Sequence, residues 1–331
     1  MKIIIDKAIP FVEGVLEPFA EVEYIDGDKI DRRHVADCNA MLIRTRTRCD
    51  RALLDGSAVD FIATATIGYD HIDTRYCQSR GITAVRAEGC NARGVLQWVA
   101  AVLARLLSTD GRQPQQCTLG VVGVGHIGSI VAEYARAWGF RVLCCDPPRQ
   151  AREGGDFISL AELAAQSDIM TLHTPLDKTT RHMVDSRLLA SMRPDATILN
   201  ASRGEVVDTR ALLASGHRYV LDVWESEPNI DREVLQNAML ATTHIAGYSA
   251  QGKANASAAV IRKLAAHYSL PLTGWYPPQV ACVEARPIGW EQMCGTIAEY
   301  FDIEAETRRF KSDPSQFEHI RNTYRYRQEY F

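Results

Sequence analysis

The chain has no long hydrophobic run. The apolar stretch in MKIIIDKAIPF stops after three residues at Asp6, far short of a signal-peptide core, and nothing later approaches the roughly 18 apolar residues of a membrane span. A cytoplasmic protein with no membrane partner is the default expectation. Charge of one sign is also missing. Lys+Arg of 37 against Asp+Glu of 41 leaves a formal net charge of −4, which gives no overall field to draw in nucleic acid, so any anion site must be local. The nine cysteines are odd in number and scattered singly apart from Cys144-Cys145. With no CxxC and no Cys/His cluster at ligand spacing they argue against a disulfide scaffold or a metal site. Reduced, mostly buried thiols are expected. There is no low-complexity segment, and no repeat beyond a coarse likeness of two α/β units.

What is present is the composition of a globular protein: 331 residues, 46% apolar and 24% charged, too long for one small core. Short β-branched runs alternate with helical patterns. KIIID, EVEYI, AMLIRT, FIATAT and GITAV fall within the first 86 residues, and TLGVVGVG, FRVLCCD, DIMTLHTP, ATILNAS, YVLDVW and MLATTHIAG follow Cys117. That rhythm predicts two α/β units, each built on a parallel sheet. NARGVLQWVAAVLARLL, residues 91–107, is apolar on nearly every face and predicts a buried helix joining them, with Asn91 as N-cap. KANASAAVIRKLAAHYSL predicts one more helix, PLTGWYPPQV a linker, and the last fifty residues two helices.

GVVGVGHIG sets Gly123, Gly125 and Gly128 in GxGxxG spacing between an apolar strand and the helix SIVAEYARAWG. The motif alone is weak. Its context strengthens it, because the next strand, RVLCCD, ends in Asp146, where a carboxylate can accept from an adenosine ribose. The glycines let the backbone approach a pyrophosphate at a helix N-terminus, with His126 and Ile127 between them as further cofactor contacts. The acid repels a 2′-phosphate, so NAD is expected over NADP, with Arg149 just beyond it as a small counter-argument.

Ligands of open parallel sheets sit at the carboxyl ends of the strands. The residues there include His173-Thr174-Pro175, Ser202-Arg203-Gly204, Asp222 to Glu227, and His244. Oxidation of an alcohol by hydride transfer needs a base, a cation for a substrate carboxylate, and a carboxylate to tune the base. His244, Arg203 and Glu227 meet that list. Each alone has a bland reading, as a strand-end histidine, a surface ion pair and a solvated loop acid. Together, beside a dinucleotide motif, they point to catalysis.

In order, GVVGVGHIG, CCDPP, LHTPL, ILNASRGEVVD, LDVWESEP and HIAGY resemble the NAD-dependent D-2-hydroxyacid dehydrogenases over roughly residues 1–285. TATIGYDHID, EGCNA, CDPPR, HIAGYSAQGK and the tail FEHIRNTYRYRQEYF resemble one branch of that family, whose substrate carries a phosphate. The resemblance implies a flavodoxin-like substrate domain (1–92 plus about 268–280), a Rossmann NAD domain (93–267) and a short C-terminal helical or α+β segment (281–331) that makes a homodimer. It implies Arg203, Glu227 and His244 as active-site residues. Thr45, Thr66 and Tyr248 would contact substrate, and Asp146, Thr174, Asp222 and Gly247 would contact NAD. Two departures stand out: Thr45 where Ser is expected, and a tail ending at Phe331, short of the usual C-terminal domain.

LIRTRTRCD places Arg44, Arg46 and Arg48 at alternate positions, so on a continuing strand they could not share a face with Thr45. A strand ending near Arg44 would put Thr45 and Arg46 on a loop, leave Arg44 and Arg46 as candidates for the substrate's phosphate, and leave Arg48 to solvent. Other readings remain: a dehydrogenase for 3-phosphoglycerate or a glyoxylate-type acid, or a nucleotide-sensing corepressor on the same scaffold. The basic and aromatic tail could suggest single-stranded nucleic acid, but its interleaved glutamates fit a dimer-packing helix better.

Overall fold

A computed structural model describes residues 1–331, in two compact units. The first comprises Met1–Asn91 and Ala250–Val283. Its strands are β1 (Lys2–Asp6), β2 (Glu21–Ile25), β3 (Ala40–Ile43), β4 (Phe61–Thr64) and β5 (Thr83–Arg86), all parallel, in the order β2-β1-β3-β4-β5. The three central strands read KIIID, AMLI and FIAT because both of their faces are covered, whereas the edge strands EVEYI and TAVR keep polar positions at their open faces. Alternate residues go to opposite sides. Ile3, Ile5, Leu42, Phe61 and Ala63 pack with Val260, Ile261 and Leu264 of the helix Ala250–His267. Ile4, Met41, Ile43 and Ile62 meet Val35 and Leu54 on the other side.

That packing corrects the expected domain boundary. The helix Ala250–His267 belongs to the first unit, not the second, because its apolar stripe is the cover for one face of the first sheet. β3 ends at Ile43, and a turn closed by Thr47 N–H on Arg44 O (3.4 Å) leaves Thr45 and Arg46 exposed. The loop is pinned from below by Thr47, whose buried hydroxyl donates to Gly27 O at 2.8 Å.

The second unit comprises Ala92–Ser249 and Glu284–Phe331. Its strands are β6 (Thr118–Val122), β7 (Arg141–Cys145), β8 (Ile169–Leu172), β9 (Thr197–Asn200), β10 (Arg218–Leu221) and β11 (Leu240–Ala241). They are parallel and ordered β11-β10-β9-β8-β6-β7, so the winding reverses between β6 and β8, where open sheets of this kind bind ligands. Ile158 N–H donates to Cys144 O at 3.0 Å, a single contact where a further strand of a Rossmann sheet would add beside β7. The helix Ala92–Asp110 is buried along most of its length, as its composition requires. Asn91 does not cap it through its side chain, since Oδ1 accepts no hydrogen bond.

The C-terminal stretch holds three helices, Trp290–Tyr300, Ile303–Ser312 and Phe317–Asn322, instead of two. Asp302 caps the second through Ala305 N–H (2.9 Å) and so starts a new helix where the apolar pattern ran on. The last residues make one bridge, Ser249 to Arg327, and Tyr330 and Phe331 are buried. Six of the nine cysteines are buried and none is in a disulfide. No helix is long and apolar enough to cross a membrane.

Candidate active site

The turn after β6 is built by close approaches that only glycine permits. At Gly123, φ is +83°, and a Cβ there would lie 2.8 Å from the carbonyl of His173. At Gly128 it would lie 1.9 Å from Gly123 O, so the helix His126–Trp138 is packed directly against the turn. Gly125, the N-cap, faces open space, and His126 beside it is exposed. Asp146, at the end of β7, accepts Val124 N–H (2.8 Å) on one carboxylate oxygen and Arg149 N–H (2.9 Å) on the other. One lone pair on each oxygen is left over, which suits two ribose hydroxyls. Arg149 is already engaged, donating to Val124 O, Ser129 Oγ and Glu153, so it does not offer a free fork to a 2′-phosphate. An open glycine N-cap with an acid one strand away fits a dinucleotide. Thr174 follows β8, its methyl packed near Gly123 and its hydroxyl 3.9 Å from Met183 Sδ.

His244 and Glu227 meet in the way the chemistry requires. His244 Nδ1 lies 2.7 Å from Glu227 Oε2, and Glu227 Oε1 accepts Trp224 N–H at 2.9 Å. Burial alone would push the Glu227 carboxyl up. The adjoining imidazole, the bond from Trp224 and the charge of Arg321 together hold it below the usual range. With that carboxylate ionised, Nδ1 carries the proton and Nε2 keeps its lone pair as an acceptor. Both loops bend through the left-handed region at non-glycine residues, φ +58° at His244 and +61° at Ser226, a conformation that costs on the order of 1 kcal/mol each.

The strain is held by Asp222, which is 1% exposed. Its Oδ1 accepts from Thr242 Oγ1 (2.5 Å) and Ile245 N–H (2.8 Å), its Oδ2 from Ala246 N–H (2.9 Å), and its carbonyl accepts His244 N–H (2.7 Å). The carboxylate anticipated as an NAD contact is thus turned inward, fixing the backbone on both sides of His244. Gly247 and Tyr248 complete that loop, which closes through Tyr248 N–H on Ile245 O (2.8 Å). Arg203 lies just past β9. Its Nη1 donates to Ser202 O (2.7 Å), and its carbonyl accepts from Asn200 Nδ2 (2.8 Å). Gly204 lets this turn touch the next one, since a Cβ would fall 2.0 Å from the carbonyl carbon of Trp224. The Arg203 and Glu227 loops are thereby stacked backbone on backbone.

In the first unit, the Thr66 hydroxyl donates to Gly68 O (2.9 Å) and lies 2.7 Å from Thr64 Oγ1, while Thr45 is exposed on its turn. Arg44 is turned away from that turn, Nη1 donating to Ala8 O at 3.0 Å. Arg46 is exposed, and Arg48 pairs with Asp50 at 2.8 Å.

Two arginines of the tail went unassigned in the sequence. Arg327, 4% exposed, donates through Nη1 to Ile245 O and Tyr248 O (3.1 Å each) and through Nη2 to Gly94 O (2.7 Å) and Ala246 O. It gathers the carbonyls of the His244 loop as Asp222 gathers its amides. Arg321 Nε donates to Tyr248 Oη at 3.1 Å. Neither role is signalled by spacing, because the tail's basic residues alternate with aromatics and acids like any solvated helix.

The profile of the D-isomer specific 2-hydroxyacid dehydrogenase NAD binding domain matches residues 92–246. A protein of Bacteroides fragilis called erythronate-4-phosphate dehydrogenase is 42% identical over 99% of this chain and 97% of its own length. One of the same name from Ectopseudomonas mendocina is 41% identical over 88% of this chain and 77% of its own length. Among solved structures, the NAD-bound 3-phosphoglycerate dehydrogenase of Entamoeba histolytica shares the fold, with a TM-score of 0.68 at 23% identity over 81% of this chain and 95% of its own. The chain belongs to the D-isomer specific 2-hydroxyacid dehydrogenases, carries their NAD-binding domain, and falls with the erythronate-4-phosphate dehydrogenases among them.

Proposed function

We propose that the protein oxidises 4-phospho-D-erythronate at C2 to 2-oxo-3-hydroxy-4-phosphobutanoate with NAD, a step of pyridoxal 5′-phosphate biosynthesis. The observation that carries this reading is the His244–Glu227 pair at 2.7 Å, in a chain whose relatives bear that enzyme's name. His244 Nε2 takes the proton of the C2 hydroxyl, and Glu227 stabilises the imidazolium so formed. Bound NAD supplies the acceptor for the C2 hydrogen as hydride, so the substrate loses one proton and one hydride and leaves as the 2-oxo acid. Arg203 holds the substrate carboxylate through its planar fork.

Gly123, Gly125, His126, Ile127, Gly128, Asp146, Thr174 and Gly247 hold the cofactor in this reading. Asp222 serves it indirectly, through the loop it fixes. Thr45, Thr66 and Tyr248 contact substrate. Of the two arginines on the Thr45 turn, Arg46 is the better candidate for an anion, since Arg44 is bonded to Ala8 O. The protein works in the cytoplasm as a homodimer through its C-terminal segment. Comparing NAD reduction with erythronate 4-phosphate, 3-phosphoglycerate and D-lactate under identical conditions tests the assignment. A preference for either of the last two refutes it, and tight NAD binding with no turnover of any of them favours a nucleotide-sensing role.

A further inference from the structure

The tail brings two guanidinium groups to the His244 loop, and only one of them is used up. Arg327 is spent on carbonyls. Arg321 is tied by a single nitrogen, Nε, to Tyr248 Oη, with its guanidinium carbon 5.9 Å from the Tyr248 ring centroid. Its Nη1 and Nη2 have no acceptor in the protein. Glu227 and Asp222 act on it through charge without forming an ion pair; their oxygens accept from His244, Trp224, Thr242, Ile245 and Ala246.

The position of Arg321 is set by packing. Phe317 and Ile320, on the same short helix, are buried in a core that includes Phe310 and Trp224. The Trp224 and Phe310 rings meet edge to face at 5.6 Å, as do Phe310 and Phe317. The helix is therefore seated, through Phe310, on Trp224, which lies three residues before Glu227 in the chain, and Arg321 acts through charge on that carboxylate. A partly desolvated cation ordinarily finds an acceptor for each of its forks. Here the outer fork is open, on the far side of the guanidinium from the Nε that donates to Tyr248 Oη.

We infer that Arg321 is an anion-binding residue of this site, its outer fork taking the substrate's phosphate. The inference rests on the proposed reading, in which the substrate has two anionic ends. Arg203 serves the carboxylate, a doubly charged phosphate can take a further cation besides Arg46, and a planar fork matches phosphate oxygens through two bonds. It also gives the tail a part in recognition within one chain, beyond any part in assembly.

Steady-state kinetics of Arg321→Met and Arg321→Lys with erythronate 4-phosphate, together with inhibition by inorganic phosphate, test it. Thermal melting and NAD titration report on folding. The expected result for Arg321→Met is a KM raised about 10- to 100-fold, kcat within a few-fold of wild type, and phosphate inhibition weakened in parallel. NAD affinity stays unchanged, and Arg321→Lys, which keeps the charge and loses the fork, falls between. Unchanged KM and phosphate inhibition overturn the inference, as does a loss confined to kcat. If Arg321→Met does not fold, Arg321→Lys with wild-type KM and phosphate inhibition overturns it as well. Failure of the wild-type protein to oxidise erythronate 4-phosphate would instead remove the proposed function, and phosphate binding by wild type and Arg321→Met would still decide the role of Arg321.

Discussion

Asp222→Asn changes one carboxylate oxygen to an amide nitrogen with almost no change of volume, at a side chain that is 1% exposed. All three side-chain partners of Asp222, Thr242 Oγ1, Ile245 N–H and Ala246 N–H, are donors. The amide can point its oxygen at only one side. In the cheaper orientation the oxygen keeps Thr242 and Ile245, and the NH₂ faces Ala246 N–H. One charge-assisted bond is then lost and a buried donor is left unpaired, on the order of 2–4 kcal/mol together. Because Ile245 and Ala246 directly follow His244, the same change loosens the base. Denaturant unfolding and steady-state kinetics should therefore show a lower midpoint and a lower kcat, with the NAD dissociation constant within about 3-fold of wild type. Stability within about 0.5 kcal/mol of wild type, combined with a selective loss of NAD affinity, would mean that Asp222 acts on the cofactor itself and would refute the positioning role.

Gly128→Ala forces a methyl to within 1.9 Å of Gly123 O, so it should cost about 1–3 kcal/mol of stability and weaken NAD binding, measured by titration. Wild-type affinity would count against the glycine cradle. Glu227→Gln keeps the shape of the bond to His244 but removes its charge, and should lower kcat by about 10²-fold or more while leaving KM for substrate near wild type. A variant with full kcat would remove Glu227 from the mechanism. His173 Nδ1 is shut away from solvent without a partner, and burial lowers the pKa of the imidazole from 6.5 to about 3. The unfolded chain therefore binds a proton that the folded one refuses, so stability present above pH 6.5 is lost as the pH falls toward 3. His173→Gln should flatten that part of the stability curve, and an acid limb identical to wild type would show that another group controls it.

Much of this was legible in the sequence because the relevant signals are local. Central strands such as AMLI and FIAT announce themselves by continuous burial, and GxGxxG by its spacing between strand and helix. The strand that runs into LIRTRTRCD ends at Ile43, one residue before the end at about Arg44 that the alternation of the arginines with Thr45 favoured. What stayed hidden is non-local. The helix Ala250–His267 is set by the sheet it covers, about 200 residues away in sequence, and periodicity carries no information about that choice. Asp222 reads as a strand-end acid whether it faces a ligand or its own loop, and only the three donors around it distinguish the two. Arg321 and Arg327 lie in a tail that looks like a solvated helix. Their burial arises from contacts with Tyr248, Ile245 and Gly94, which are 73 or more residues distant in sequence.

The central claim is that His244, oriented by Glu227, is the acid–base group of an NAD-dependent oxidation of erythronate 4-phosphate. Initial rates of NAD reduction by wild type and His244→Ala at neutral pH, with NAD affinity checked for both, test it most directly. The account predicts robust turnover by wild type and a kcat lowered about 10²- to 10⁴-fold in the variant, with NAD still bound. Near-normal turnover by His244→Ala would contradict it.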